Sequence, residues 1–157
     1  GYAALDTTAL HLNIPERQVV DYPVEIGGQS WNITCVDMGN PHCVVFCPRV
    51  DGVDVARIGP QFEHAAYFPD RINTEFIRVV NPSTIKMRVW ERGSGETLAC
   101  GTGACAAVVA AVAAGQCEKG RDITVRVRGG DLVVNYTDEK VTLTGDARLV
   151  YTGEVEY

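Results

Sequence analysis

Residues Gly103–Ala114 (GACAAVVAAVAA) contain no side chain more polar than one thiol. Alanine, the strongest helix former, occupies seven of these twelve positions. Gly115 follows as a natural C-terminal stop. A helix that is apolar on every side has no face to offer water, so the rest of the chain must enclose it. The run is too short to cross a bilayer, which takes about 18 apolar residues or more.

What surrounds the helix reads mostly as strands. Gln18–Ile26, Trp31–Asp37, His42–Cys47, Thr74–Val80 and Thr84–Trp90 are short and rich in β-branched residues. Asn81-Pro82-Ser83 interrupts the last two and predicts a hairpin. A second meander is expected from Ile123–Val127, Leu132–Tyr136 and Val141–Thr144, with turns at Gly129-Gly130 and Thr137–Glu139, and a last strand over Ala147–Tyr151. A second helix, Val55–Tyr67, is amphipathic and carries Gly59-Pro60, where it is expected to start or kink. The fold class implied is α+β: a curved, mainly antiparallel sheet wrapped around a buried central helix.

Bulk properties agree with one globular domain. A chain of 157 residues buries roughly 70% of its unfolded surface and needs neither disulfide nor metal to hold it. A net charge of −6 gives no electrostatic footprint for nucleic acid or an anionic membrane. The six cysteines form no CxxC, and no Cys/His set has zinc spacing, so no metal is expected and reduced thiols are the default. The opening residues, GYAALDTTALHL, lack an initiator Met and any targeting pattern, which leaves a fragment or a processed product open.

Chemistry concentrates in Glu91–Ala107, ERGSGETLACGTGACAA. Cys100 falls where the buried helix begins, beside amides that have no intrahelical partner and a dipole equivalent to about half a positive charge. A thiolate is favoured there, so its pKa is expected below the usual value of about 8.5. Gly101 and Gly103 allow close backbone approach, and the Gly101 and Thr102 amides can receive an anion. A core thiol on a glycine-shaped turn is the other reading of the same residues. Cys105, one turn further on, reads as packing. Arg92 can clamp a carboxylate bidentately, and Glu91 can hold an ammonium or influence a nearby thiol, although a Glu-Arg pair at a strand end also reads as solvated surface. In Met38-Gly39-Asn40-Pro41-His42, Asn40 offers donor and acceptor together, and His42 is a residue type that can exchange a proton with a nearby thiolate; both also fit an ordinary turn. Asn73 opens a strand and fits a cap equally well.

Together DMGNPHCVVF, FPDRINTEF and RVWERGSGETLACGTGACAA resemble the diaminopimelate epimerase family, in the family's order and across essentially the whole chain. The resemblance is to that family's C-terminal half. The family has two pseudo-symmetric lobes, each a sheet around a central helix and each supplying one catalytic cysteine. The CGNG motif of the N-terminal lobe is absent from these residues. One departure is Glu63–Pro69, where the family more often has His-Pro before Phe-Pro; it touches a helix end and not the pocket.

The resemblance implies epimerisation of LL-diaminopimelate to meso-diaminopimelate, in lysine and peptidoglycan precursor synthesis, by two thiols and no cofactor. Cys100 would be one of the pair. Asn40, Asn73, Glu91, Arg92, Gly101 and Thr102 match substrate-binding positions, and His42 and Glu91 match positions assigned to tuning the thiol pKa values. Tyr151 matches a tyrosine of the family's dimer interface, which implies a homodimer of the full enzyme. Residues 1–146 would form the catalytic lobe, and 147–157 a terminal strand that pairs with the N-terminal lobe. A cytoplasmic location follows from the same resemblance. One thiol cannot serve both faces of a carbon, so this chain alone is expected to be inactive. The alternatives are a related racemase of the same fold, such as the proline racemase group, or a non-catalytic ligand-binding or assembly module.

Overall fold

The computed structural model describes residues 1–156. Nine strands form one sheet: β1 (Tyr22–Ile26), β2 (Gln29–Asp37), β3 (Pro41–Phe46), β4 (Asn73–Asn81), β5 (Thr84–Glu91), β6 (Gly95–Glu96), β7 (Asp122–Val127), β8 (Gly130–Tyr136) and β9 (Val141–Thr144). Their order is β1-β2-β3-β4-β5-β7-β8-β9, with the short β6 paired to β5 off that path. Neighbours are antiparallel except at two junctions, β3 with β4 and β5 with β7. Each parallel junction requires a crossover, and each crossover carries a helix: α1 (Val55–Glu63) and α2 (Gly101–Ala113).

As the apolar run requires, α2 is enclosed. Gly103 to Ala111 are all buried, and the helix touches β2, β3, β4, β5, β7, β8 and β9. The sheet therefore wraps around it, and Val108 and Val109, fully buried, each contribute about 1.5–3 kcal/mol on removal from water. The opposite face of the sheet's first half is covered by α1. There Trp31, Phe62 and Phe76 meet edge to face, with ring centroids 5.4–6.4 Å apart. Strand alternation separates the two sides: Val44, Ile77, Met87 and Val89 face α2, while Cys43, Val45 and Phe76 face α1.

Several boundaries differ from the sequence reading. The first strand begins at Tyr22 and not at Gln18, because Asp21 adopts φ 50°, which breaks extension. The α1 helix runs through Pro60 as one piece and ends at Glu63. The α2 helix begins two residues early, at Gly101, because the Cys100 side chain caps it and offsets the poor propensity of glycine. Residues 145–156 carry no regular structure, so the strand expected over Ala147–Tyr151 does not form. A strand needs a neighbour for its backbone ladder, and here Leu149, Val150 and Tyr151 lie exposed with none. Tyr157, at the end of the expected terminal segment, lies outside the described residues.

The Gly59-Pro60 pair has a packing reason. A Cβ at Gly59 would stand 2.4 Å from the Trp90 ring. That ring cannot swing aside, because its Nε1 donates to Glu63 Oε2 at 2.7 Å. Gly59→Ala gains about 1 kcal/mol of helix propensity but meets an overpacking cost of about 1–3 kcal/mol. A net loss of stability is expected, read as a lower urea midpoint with unchanged m-value.

Candidate active site

Cys100 has extended backbone (φ −134°, ψ 115°) and is the N-cap residue of α2. Its Sγ accepts from the Gly103 amide at 3.3 Å and lies 3.7 Å from Thr102 Oγ1. Gly101 and Thr102 form the first helical turn, where backbone amides have no intrahelical acceptor. The thiol faces a cavity of about 580 Å³ lined by Glu91, Gly101, Thr102, Cys105 and Leu143 among others.

Behind Thr102 runs a hydrogen-bonded chain. Thr102 Oγ1 lies 3.0 Å from His42 Nε2, whose ring is fully buried at the start of β3. Asn40 Oδ1 lies 3.1 Å from the same nitrogen, and Asn40 Nδ2 reaches Thr102 Oγ1 at 3.5 Å. On the other side of the ring, His42 Nδ1 meets Glu75 Oε1 at 2.7 Å, and both side chains are excluded from solvent. Glu75 was not among the residues singled out from sequence. Its available signal was a lone acid at an inward position of the apolar strand TEFIRVV.

The ERG turn is held separately. Asn73 Oδ1 accepts the Arg92 amide at 2.9 Å, while Asn73 Nδ2 donates to the Pro41 carbonyl at 2.9 Å. Asn73 thus ties the starts of β3 and β4 to the backbone of Arg92. Glu63, from α1, accepts the Gly93 amide at 3.0 Å as well as the Trp90 indole. Burial alone would raise the Glu63 carboxyl, but Trp90, the Gly93 amide and the nearby His64 and Arg71 hold it below its usual value. The sequence reading placed Glu63–Pro69 at a helix end away from the pocket, whereas Glu63 holds the turn that carries Arg92 and Phe68 lines the cavity beside it. The exposed Arg92 guanidinium donates to the Asp70 carbonyl at 3.1 Å. With Asn40, Arg92 lines a second cavity of about 330 Å³. Glu91 accepts from Thr97 Oγ1 at 2.5 Å.

The structure therefore brings Asn40, His42, Cys100 and Thr102 into one hydrogen-bonded cluster, with Glu91 and Gly101 on the shared cavity wall. Asn73 and Arg92 form an adjoining arm. Tyr151 stands apart on the exposed C-terminal segment, 82% accessible. Among the described residues, no group of three His, Cys, Asp or Glu side chains gathers around a common metal position, and no helix is long and apolar enough to cross a membrane.

One expectation is corrected. Cys100 was expected to have a lowered pKa; instead burial pushes the thiol up. The Gly103 and Thr102 hydrogen bonds oppose that rise, and the negative charges of Glu75 and Glu91 add to it. The helix-end donors moderate desolvation without overcoming it. Cys47, Cys105 and Cys117 have less help: burial raises Cys47 to about 11 and holds the other two up.

The expected outcome in limited alkylation with iodoacetamide is that Cys100 labels first of the six cysteines. Its rate should still be climbing above pH 9, because its thiolate forms later than that of an ordinary thiol. Peptide mapping across pH 6–10 measures both, and earlier labelling of Cys43 or Cys117 would contradict the account of the site.

Comparison with known proteins agrees with this geometry. Residues 34–156 match the family model described as Diaminopimelate epimerase. The chain is 54% identical over 140 residues to the diaminopimelate epimerase of Trichodesmium erythraeum, covering 88% of this chain and 50% of that protein. It is 51% identical over 142 residues to that of Nostoc punctiforme, covering 89% and 50%. The chain thus spans about half the length of the curated relatives it matches. In fold it is similar to a phenazine biosynthesis protein of the PhzF family from Enterococcus faecalis, at 16% identity and a TM-score of 0.50 over 65% of this chain and 36% of that one. By the match over residues 34–156, the chain belongs to the diaminopimelate epimerase family.

Proposed function

We propose that this chain is the C-terminal catalytic lobe of a diaminopimelate epimerase, supplying one of two thiols that interconvert LL- and meso-diaminopimelate. The observation that carries the reading is Cys100 itself: a thiol capping α2, open to a cavity, and hydrogen-bonded through Thr102 to His42. Epimerisation requires a base to take the α-proton from one face and an acid to return a proton to the other. Burial keeps Cys100 in its thiol form near neutrality, which is the form that donates. The opposing thiolate would come from an N-terminal lobe, and the roles exchange in the reverse direction. No cofactor is needed, because the two thiols account for both proton transfers.

The substrate carries an α-carboxylate and an α-ammonium next to the reacting carbon. The Gly101 and Thr102 amides suit the carboxylate and Glu91 the ammonium. Arg92, with Asn40 and Asn73, suits a charged group further along the substrate. Residues 1–146 then act as the lobe proper, and 147–157 as a segment that pairs with the other lobe. Tyr151 would contribute to a homodimer interface, consistent with the exposed apolar side chains around it. A biosynthetic enzyme of this kind would work in the cytoplasm. A racemase of the same fold acting on another amino acid is disfavoured by the 54% identity to a diaminopimelate epimerase.

Mutual positioning of the two groups is worth roughly 7–11 kcal/mol of barrier lowering, which one lobe cannot supply. The 157-residue chain alone is therefore expected to leave both isomers unchanged. Turnover should appear when it is joined to, or mixed with, an N-terminal lobe carrying the second cysteine, and Cys100→Ala should abolish it. Chiral chromatography of the two isomers reads the outcome; epimerisation by this chain alone would overturn the half-site reading, and its absence from the complemented protein would favour a non-catalytic module.

Arg92→Lys keeps the charge but loses the planar fork. In the complemented enzyme KM should rise by the equivalent of about 1.5–3 kcal/mol, the cost of a charged hydrogen bond left unmade. Unchanged steady-state constants would make Arg92 a surface residue.

A further inference from the structure

At the back of the Cys100 cluster lies a carboxyl to which no role has been assigned. Glu75 projects from β4 toward α2 and has no accessible surface. One oxygen meets His42 Nδ1 at 2.7 Å, and the other has no hydrogen-bond partner among the described residues. Burying a carboxylate with one oxygen unpartnered is costly. The backbone makes room for it: a Cβ at Gly103 would stand 2.6 Å from Glu75 Oε1 and 3.2 Å from Cys100 Sγ. The second glycine of ACGTGACA therefore leaves space for Glu75 as well as for the thiol.

We propose that Glu75 is a positioning residue for the chemistry of Cys100: it holds His42 at Nδ1 so that Nε2 faces the Thr102 hydroxyl, which in turn meets the Cys100 sulfur. The inference rests on the reading of Cys100 as an acid–base group. With Nδ1–H donated to Glu75, Nε2 of the neutral ring is an acceptor, and the Thr102 hydroxyl donates to it. When the thiol ionises, its proton passes to Thr102 Oγ1 while the hydroxyl proton passes to His42 Nε2. Thiol and imidazole become thiolate and imidazolium, and Glu75 keeps its charge beside the new cation. Asn40 Oδ1, an unfavourable neighbour of the unprotonated Nε2 at 3.1 Å, becomes the acceptor of the new Nε2–H and so favours the imidazolium.

Other ionisable groups face this cluster. Glu91 of β5 is engaged by Thr97, Cys105 of α2 shares the cavity, the Gly1 amino group lies near Cys105, and Cys43 of β3 feels the charge of Glu75 from the α1 side of the sheet. Tyr2 lines the same cavity, and β9 presents Val141 and Leu143 there. None of these bridges His42 to Cys100.

Glu75 acts on the thiolate in two opposing ways. Its charge alone disfavours a second anion nearby. Through His42 it stabilises the cation that thiolate formation creates. Glu75 Oε1 contacts His42 Nδ1 at 2.7 Å but stands across the Gly103 position from the sulfur, so its attraction for the imidazolium is the stronger of its two interactions and the route through His42 is proposed as dominant. The two routes predict opposite signs for the same substitution.

The test is the pH dependence of iodoacetamide labelling of Cys100 in the 157-residue chain, which needs no turnover and so reports on Glu75 even if the epimerase reading fails. Glu75→Gln should slow labelling roughly tenfold near pH 7.5 and move the profile to higher pH. In a His42→Asn background the same change should no longer slow it. Faster or unchanged labelling with His42 intact would overturn the proposal. If Glu75→Gln fails to fold by circular dichroism, the exposed Thr102 gives a second route. Thr102→Val should slow labelling and Thr102→Ser should restore it, and Thr102→Val should add nothing once His42 is Asn. Full additivity of those two changes would also overturn it.

Discussion

Enclosure of α2 is the constraint on which the rest of this protein depends. An apolar helix with no polar face is stable only if protein surrounds it, and seven strands do so. That arrangement requires a sheet long enough to curve, with parallel junctions on either side of the β4–β5 hairpin. It also puts the first turn of α2 where β3, β4 and β5 deliver His42, Glu75 and Glu91. The site is thus built from the ends of elements whose positions are set by core packing.

The same burial works against the chemistry it positions. A dry environment disfavours any isolated charge, and Cys100 is pushed up for that reason. Donors at the helix end and the Thr102 hydroxyl return part of what desolvation removes. Low dielectric also strengthens each of those hydrogen bonds, so a small number of well-aimed groups can govern the thiol. Cys47, buried with only the Val45 carbonyl within hydrogen-bond reach of its sulfur among the described residues, shows the outcome without such donors.

Much of this was legible in the residues. The GACAAVVAAVAA run announced its own burial, the Asn81-Pro82-Ser83 break marked the hairpin, and the ACGTG turn located the thiol that caps α2. Boundaries were less visible. Nothing in Gly101-Thr102 favours a helix until the Cys100 side chain caps it, and Ala147–Tyr151 has strand-forming residues but no neighbour to bond. Glu75 and Glu63 were missed because single acids in apolar or amphipathic stretches look the same whether they point inward or outward. Their roles depend on partners 33 and 27–30 residues away in sequence. The sign of the Cys100 shift was missed for a related reason: the pattern of residues marks a helix end but does not state how dry it is.

The two arms of the pocket are supported from opposite faces of one sheet. Cys100, Thr102, His42 and Glu75 belong to the side packed on α2. The Arg92 turn is held through Glu63 and Trp90 from the side packed on α1. On the proposed reading, proton transfer and substrate grip rest on separate cores, one of small aliphatic residues and one of interlocked aromatics. Divergence in the aromatic core can reshape what is held without disturbing how protons move. A lineage built on this sheet has room to alter the Arg92 side of the pocket while inheriting the Cys100 cluster intact.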